Sequence, residues 1–427
     1  MKIERTLSIM LFLCALAISV KAQSPTQNYV LSKDVLDVDG THAITTVTYY
    51  DGLNRLEEST YAEGEDMSQN KNRYSENVLS YSANGSIERL QRYGKKNNGT
   101  FGLIDDLTYS YNGNQIKAIS DKAGSLLYNG SFDFKDGANA DVEYFYDANG
   151  ALVKDLNKGI SNIEYDVLGN LKCITFSNGF KTKYVYDAAG NKLRTTHESA
   201  VTNTTDNIGN FIFEDGKLDK YLFDGGYCSF DNNQNPSFHY YEKDHLGSVR
   251  MVVNENGTIE QVNHYYPFGG VYGDLSYKGE LQRNKYIGKE FDHMYGLDWY
   301  DHGARMYDAA RVVWDRIDNL GEKNSDISPY LYCHDNAINK FDPDGNDDYF
   351  SNSGQFLFSK GDSPNIYVAN GNNGFVNFNT LDLRRKNDLN TGVRIVGYYA
   401  RKAGVKYNVN GGRGYVGIST LHRTDNQ

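Results

Sequence analysis

The sequence predicts an all-β protein made of many short hairpins. Tyrosine and glycine are both abundant, at 35 and 42 residues, whereas proline is scarce at 6. Tyrosine favours strands and glycine favours tight turns, so this mixture indicates short strands joined by turns. A Tyr-Asp motif followed by glycine also recurs along the first half of the chain. These observations favour an elongated array of stacked hairpins.

The repeats are clearest in three units that share the pattern Tyr-Asp-x-x-Gly. They recur about every twenty residues, which is the period range of stacked repeat architectures. The three units occupy residues 146–152, 165–171 and 186–193, and weaker copies occupy 50–56, 81–85 and 111–114. Three near-copies in one register are not expected of a β protein that is merely rich in tyrosine.

Each unit has the chemistry of a β-hairpin. In the third unit, an alternating strand over residues 183–186 leads into Asp187, whose carboxylate can accept backbone N–H bonds in an Asx turn. Gly190 or Asn191 can then adopt the left-handed conformation that reverses the chain. One hairpin is marginally stable in water, so each unit must stack its edge on the next.

The N-terminus has the order of a secretory signal peptide. Lys2 and Arg5 precede an apolar run over residues 7–20, and Ala22 ends the segment. The run is too short for a comfortable membrane span, although an N-terminal anchor helix is the alternative. Residues 1–22 are therefore predicted to be a signal peptide that directs the chain to the periplasm, the cell surface or the medium. No later stretch of the sequence is apolar enough to span a bilayer.

Charge and cysteine content exclude several classes of function. The net charge of -11 argues against a nucleic-acid partner, because phosphate binding needs a basic surface. Beyond the signal peptide, Cys173, Cys228 and Cys333 are an odd and widely spaced set. Such a set predicts neither a disulfide framework nor a zinc site, so these cysteines are expected to be small core residues. We expect no cofactor and no metal.

A series of motifs downstream of the repeats resembles the Rhs/YD-repeat family. The tyrosine units resemble its YD repeat, and Asp244-His245-Leu246-Gly247 resembles the opening of its core domain. Further core motifs follow in order at residues 265–269, 288–290, 296–297, 300–308, 328–332 and 342–345. The resemblance implies a YD-repeat hairpin region over residues 23–237, a repeat-associated core over 238–345 and a variable C-terminal tail over 346–427.

In that family, the repeats coil into a β-spiral shell, the core plugs one end and the tail is an effector, often a toxin. Many members cut their own chain just after the Asp-Pro-x-Gly motif, in the manner of an aspartic peptidase. By motif position, the residues implied here are Arg305, Asp318, and Asp342 or Asp344. Two carboxylates that share a site do not both ionise easily, so one can act as an acid while the other activates water. A nearby arginine can orient a carboxylate or stabilise an oxyanion.

The sequence departs from the family pattern around these residues. Ala309 and Asn319 stand where proline is expected, and Asn346 replaces the leucine expected at the cut. The alternative interpretation is that Arg305 and Asp318 form an ion pair that holds the plug.

The predicted shell is small. A sheet of this length closed into a sphere has a radius of roughly 15 Å, and a compact tail of about 80 residues needs roughly the same radius. We therefore expect an incomplete shell that does not enclose the tail, in a chain that is a shortened member of the family. The tail is expected to be a small β or α+β segment and an effector remnant, since its one histidine, His422, cannot form a His-Glu-x-x-His zinc site.

Three functions remain open at this point. The first is an exported scaffold or carrier in a system of competition between bacteria, with an immunity protein or a target-cell surface as its partner. The second is a self-cleaving peptidase that releases the tail. The third is a surface module that binds carbohydrate or protein, since exposed aromatic ladders can stack on sugars.

Overall fold

The chain begins with an eight-stranded antiparallel sheet in which neighbours in sequence are neighbours in space. The computed structural model describes residues 23–24, 27–34, 44–64, 67–126, 132–272, 282–318 and 326–342, and six short strands between 347 and 418. The strands of the first sheet are β1 (Gln23–Ser24), β2 (Gln27–Asp34), β3 (Ile44–Tyr50), β4 (Leu56–Glu63), β5 (Glu76–Tyr81), β6 (Ile87–Lys95), β7 (Phe101–Asn112) and β8 (Gln115–Asp121).

A second sheet continues the same sequential order over thirteen strands. Its strands are β9 (Tyr144–Tyr146), β10 (Leu152–Asp155), β11 (Ile160–Tyr165), β12 (Leu171–Phe176), β13 (Lys181–Tyr186), β14 (Lys192–Glu198), β15 (Thr202–Ile208), β16 (Phe211–Glu214), β17 (Lys217–Phe223), β18 (Gly226–Phe230), β19 (Pro236–Lys243), β20 (Val249–Asn254) and β21 (Ile259–Val262). Strand β19 runs through residue 238, so the hairpin sheet extends into the first residues of the predicted core.

The remaining elements are short. Residues 264–342, here called the plug, contain β22 (His264–Tyr265), β23 (Val271–Tyr272), β24 (Glu290–Asp292), β25 (Trp299–Asp301), β26 (Met306–Asp308) and β27 (Val313–Trp314). The tail contains β28 (Asp347–Phe350), β29 (Phe356–Lys360), β30 (Tyr367–Ala369), β31 (Phe375–Asn377), β32 (Val409–Gly412) and β33 (Tyr415–Ile418). Among the described residues, no helix has both the length and the apolar character needed to cross a membrane.

The predicted hairpin turn is confirmed at atomic detail. Asp187 Oδ1 accepts hydrogen bonds from the backbone N–H groups of Ala189 and Asn191 at 2.8 and 2.9 Å. Gly190 has a φ of 82°, in the left-handed region where a side chain would be strained. The same turn recurs at Asp147, Asp166, Asp231 and Asp244. The Asp244 turn shows that the core motif at 244–247 is a further copy of the repeat turn.

Repeat tyrosines link one hairpin to an earlier one. The hydroxyl of Tyr111 donates to the carbonyl of Ile87 at 2.6 Å, and that of Tyr165 donates to the carbonyl of Leu152 at 2.9 Å. Because each ring lies over the sheet while its hydroxyl pairs with backbone, these tyrosines bury apolar surface without leaving a polar atom unpaired.

One hydrophobic core joins both sheets to the plug. Leu90 and Leu107 of the first sheet and Leu152 and Ile174 of the second belong to a single buried cluster. The plug contributes the largest side chains of this cluster: Phe268, Trp299, Tyr300, Tyr307, Trp314 and Tyr332. Buried residues of both sheets are therefore packed against the plug. The buried, unpaired Cys173, Cys228 and Cys333 confirm the predicted role of the cysteines.

Candidate functional site

The candidate site lies where the plug approaches the tail. The turn between β25 and β26 is stabilised by Asp301, whose carboxylate accepts the N–H of Gly303 at 2.7 Å. Gly303 has a φ of 90° and lets the chain reverse within four residues. The turn closes with a bond from the N–H of His302 to the carbonyl of Arg305. The hairpin of β26 and β27 then brings Arg305 beside Trp314, with 4.2 Å between the guanidinium carbon and the ring centroid.

Arg305 contacts two of the three predicted aspartates at once. Its Nη2 lies 3.2 Å from Asp318 Oδ2 and 3.3 Å from Asp342 Oδ2. The side chain of Arg305 is buried, that of Asp342 is largely buried, and that of Asp318 is a quarter exposed. The structure therefore brings together Arg305, Asp318 and Asp342, whereas Asp344 lies outside the described residues.

This geometry supports two chemical roles. One guanidinium nitrogen that binds two carboxylates holds them together and fixes the end of the plug, which is the structural role considered for Arg305 and Asp318. The same contacts hold two carboxylates near one another, and Asp342 lies three residues before the predicted cut. Two neighbouring carboxylates can act as acid and base in hydrolysis. The partly exposed Asp318 is the carboxylate that water can reach.

His302 belongs to the site and was not singled out in the sequence. Its Nδ1 lies 2.6 Å from the carbonyl oxygen of Asp342, so the Nδ1–H donates to that backbone group. The ring is buried among Trp314, Tyr307 and Tyr332, and burial holds the pKa of His302 well below its usual value. His302 is therefore neutral and anchors the backbone at the last described residue before the tail.

A second group of charged residues fastens the plug to the first sheet. Arg92 on β6 is fully buried and binds Glu76 Oε1 at 2.7 Å and Asp105 Oδ2 at 3.0 Å. The same guanidinium donates to the carbonyls of Ala309 and Ala310 in the plug, at 3.0 and 3.2 Å. Burial raises the pKa of Asp105 to about 6 despite the neighbouring Arg92. The sequence could have indicated this role only through the position of Arg92, which faces inward on the alternating strand β6.

Partly buried ion pairs also fasten the plug to the second sheet. Lys192 at the start of β14 binds Glu290 at 2.7 Å and Asp301 at 2.6 Å. These two carboxylates raise the pKa of Lys192 although burial opposes them. Within the plug, Arg311 Nε binds Asp308 Oδ2 at 2.8 Å, and burial of Asp308 is outweighed by Lys158 and Arg311, which lower its pKa. The plug is thus held to both sheets by charge as well as by apolar packing.

Comparison with known protein families agrees with this architecture. The family model described as teneurin YD-shell matches residues 26–321. The chain belongs to the YD-shell family. This match confirms the Rhs/YD-repeat resemblance and the partial shell inferred from the hairpins. A second family model, described as metallopeptidase toxin 2, matches residues 348–427. The protein therefore joins a YD-shell scaffold to a segment that is similar to a toxin.

Individual relatives are similar to parts of the chain at low identity. The chain is 27% identical over 228 residues to salivary gland surface protein 1 of Aedes aegypti. This alignment covers 47% of the present chain and 6% of the relative. The chain is also 27% identical over 262 residues to the tRNA3(Ser)-specific nuclease WapA of Bacillus spizizenii. This alignment covers 57% of the present chain and 11% of the relative. The chain therefore spans a small part of these relatives. Superposition on the crystal structure of TcdB2-TccC3 gives a TM-score of 0.48 at 16% sequence identity. It covers 75% of the present chain and 19% of the TcdB2-TccC3 chain.

The tail residues do not supply a familiar zinc site. Zinc peptidases commonly hold their metal with the two histidines of a His-Glu-x-x-His motif. The matched segment contains one histidine, His422, and neither glutamate nor cysteine. The matched residues therefore lack this ligand set, and no catalytic step through a metal is assigned to them.

Proposed function

We propose that this YD-shell protein is an exported carrier that displays its toxin-like tail outside the shell, in competition between bacteria. The observation that carries the proposal is the order of parts in one chain. A scaffold of two sheets comes first, a buried plug closes it, and a segment similar to metallopeptidase toxin 2 begins six residues after Asp342.

The packing of the interior supports display of the tail outside. The plug fills the space between the sheets, and a cavity of about 580 Å³ lies beside Phe134, Tyr144 and Arg311. A compact tail of about 80 residues, with a radius of gyration near 12 Å, is far larger than this cavity. An external tail is also open to contact with a target cell or with an immunity protein.

Limited proteolysis of the purified full chain tests this arrangement. We expect the tail to be removed first, while a fragment ending near Asp342 resists digestion because its core and ion pairs are buried. Digestion of the shell and the tail at equal rates would contradict the proposal. The competitive role is tested by co-culture: a strain that exports the full chain should reduce recipient survival, whereas one that exports residues 1–346 should not. Equal survival in the two cultures would refute it.

A second proposal is that the plug cleaves the chain after Gly345. The convergence of Arg305, Asp318 and Asp342 just before the toxin-like segment favours it. In this reaction, a carboxylate removes a proton from water, the water oxygen adds to the Gly345 carbonyl, and the C–N bond breaks. The leaving nitrogen takes a proton from the second carboxyl group. Arg305 would position both acids.

Intact-mass measurement of the purified protein tests cleavage. The wild type is expected to yield a fragment that ends at Gly345, and Asp318→Asn should retain the full-length mass. Asp206→Asn is the matched control, because Asp206 forms an ion pair on the distant strand β15. A full-length mass that persists for days in the wild type would end this proposal and leave Arg305 with its structural role.

A third proposal is that the second sheet binds carbohydrate. An aromatic row crosses neighbouring strands, with Phe211 4.8 Å from Tyr221 and Phe223 6.1 Å from Tyr240. Phe211, Phe238 and Tyr240 are each about two-fifths exposed, which leaves ring surface on which a sugar can stack. Binding on a glycan array that is lost in Phe211→Ser with Tyr240→Ser would support this proposal, and a flat array would refute it.

A further inference from the structure

Three aspartates converge where the chain crosses from the first sheet to the second. Asp105 lies on β7, Asp121 is the last residue of β8, and Asp133 lies in the connection between β8 and β9. One carboxylate oxygen from each residue lies within 4.8 Å of the other two. These residues are separate from Arg305, Asp318 and Asp342, and they are near neighbours only because the connection folds back onto the sheet.

Asp133 has a buried oxygen without a partner. Its side chain has no exposed surface, and its Oδ2 accepts bonds from Lys135 Nζ at 2.6 Å and from the N–H of Leu126 at 3.2 Å. Its Oδ1 has no hydrogen-bond donor among the residues that the structure describes. A buried carboxylate oxygen without a donor is costly, and Asp133 Oδ1 is therefore available to coordinate a cation.

The other two carboxylates are oriented but not fully neutralised. Asp105 Oδ1 accepts the N–H of Phe134 at 2.9 Å, while its Oδ2 shares Arg92 with Glu76. Asp121 Oδ1 accepts the N–H groups of Asp106 and Ala123 at 2.8 and 2.9 Å. Arg92 thus serves two carboxylates at once, and Asp121 is held by neutral donors. The cluster keeps net negative charge.

The three carboxylates stand close enough together to repel one another when they are ionised. Mutual repulsion of this kind is relieved when a cation binds between the groups.

The donors distinguish among cations. All three are carboxylate oxygens, which suits hard cations rather than zinc or copper. Calcium binds oxygen at about 2.3–2.6 Å, so two of its ligands can stand up to about 5 Å apart. Magnesium binds at about 2.0–2.1 Å, so its ligands must stand closer together than about 4.2 Å. The three carboxylate oxygens lie within 4.8 Å of one another, a span that one calcium ion can bridge without movement of the backbone.

We propose that Asp105, Asp121 and Asp133 form a calcium site that fastens the connection between the two sheets. Binding joins β7, β8 and the connecting segment through one ion and gives the buried Asp133 Oδ1 its partner. Sites of this kind in extracellular modules have dissociation constants of about 0.1–1 mM, in keeping with an exported protein.

Thermal unfolding of the full chain, followed in EDTA, CaCl₂ and MgCl₂, tests the site. Calcium at 10 mM should raise the unfolding midpoint of the wild type by about 2 °C or more, with a half-maximal effect at about 0.1–1 mM. Magnesium should have a clearly smaller effect. An equal response to both ions would overturn the assignment to calcium, and no response to calcium would overturn the site.

Variants separate this site from calcium bound elsewhere in the chain. Asp133→Asn should abolish the calcium response. In EDTA it should be about as stable as the wild type, because it removes a repelling charge from the cluster and its ion-pair partner Lys135 is half exposed to water. Asp121→Asn should behave in the same way and provides a second test if the first variant does not fold. Asp219→Asn, which alters a carboxylate paired with Lys220, is the control and should keep the full response. A calcium response that persists in both Asp133→Asn and Asp121→Asn would refute the site.

Discussion

Replacement of Arg92 by methionine tests how far one buried ion cluster holds the plug in place. The change keeps most of the side-chain volume but removes the charge and the donors to Glu76, Asp105, Ala309 and Ala310. Both carboxylates are fully buried and would be left without their cation. Removal of one partner of a buried pair costs about 3–5 kcal/mol. We therefore expect a loss of at least about 4 kcal/mol, against a total stability of typically 5–15 kcal/mol.

Urea unfolding of the full chain, followed by tryptophan fluorescence, measures this loss. Trp299 and Trp314 are both buried in the plug, so the signal reports on the part that Arg92 fastens. Arg89→Met is the matched control on the same strand, because Arg89 is 43% exposed and pairs with Asp106 at 3.2 Å. An exposed pair of this kind contributes less than about 1 kcal/mol.

The loss should also depend on pH. The pKa of Asp105 is raised to about 6 in the folded protein. Its contribution to stability is therefore complete at pH values below the pKa that it has in the unfolded chain, and is lost as pH rises through 6. Without Arg92, the pKa of Asp105 rises further, and Arg92→Met should lose more stability at pH 8 than at pH 5. Two results would contradict this prediction. One is a difference of less than about 1 kcal/mol between the losses in unfolding free energy of Arg92→Met and Arg89→Met. The other is an equal loss for Arg92→Met at both pH values.

Three further predictions concern other parts of the fold. Burial raises the pKa of Asp335 well above its usual value, and neither carboxylate oxygen has a hydrogen-bond partner among the described residues. The contribution of Asp335 to stability should therefore decline as pH rises above about 4, and Asp335→Asn should be more stable than the wild type at pH 8. A less stable variant in urea titrations would contradict this. Gly226→Ala would place its Cβ 1.9 Å from the carbonyl oxygen of His239, so this variant should lose about 2 kcal/mol or more of unfolding free energy in the same assay. An unchanged midpoint would show that strands β18 and β19 can separate without cost. The carboxylate of Asp187 accepts hydrogen bonds from Asn191, and these bonds lower the pKa of Asp187. Asp187→Ala should therefore lower the thermal midpoint at pH 7 and have less effect at pH 3, where the carboxyl group is protonated. An equal effect at both pH values would contradict the role given to Asp187 in the turn.

Local features of the chain were predictable because their physical causes lie within a few residues. The turn at Asp187 needs a carboxylate, a glycine three residues later and alternating strands on either side, and all of these are visible in the sequence. The assignment of Arg305, Asp318 and Asp342 came through family resemblance. The structure adds the distances that bring these residues together.

Contacts between distant parts of the chain were not predictable from the sequence. Arg92 meets Ala309 across 217 positions, and nothing near Arg92 marks its partner. His302 carries no signal in the sequence that marks it as a site residue, yet it binds the backbone of Asp342. In each case, the partner is chosen by how the plug packs into the sheets, which depends on the shape of the whole core.

The sequence by itself determined that this protein is a row of tyrosine hairpins of the YD-repeat kind, because strand alternation and turn chemistry act over short distances. Tertiary structure alone decided that the plug packs against both sheets in one core and that Asp105, Asp121 and Asp133 meet. Burial explains the difference. A charged residue in a sequence has no fixed surroundings, and its partners and its pKa follow only from the side chains that the completed fold places around it.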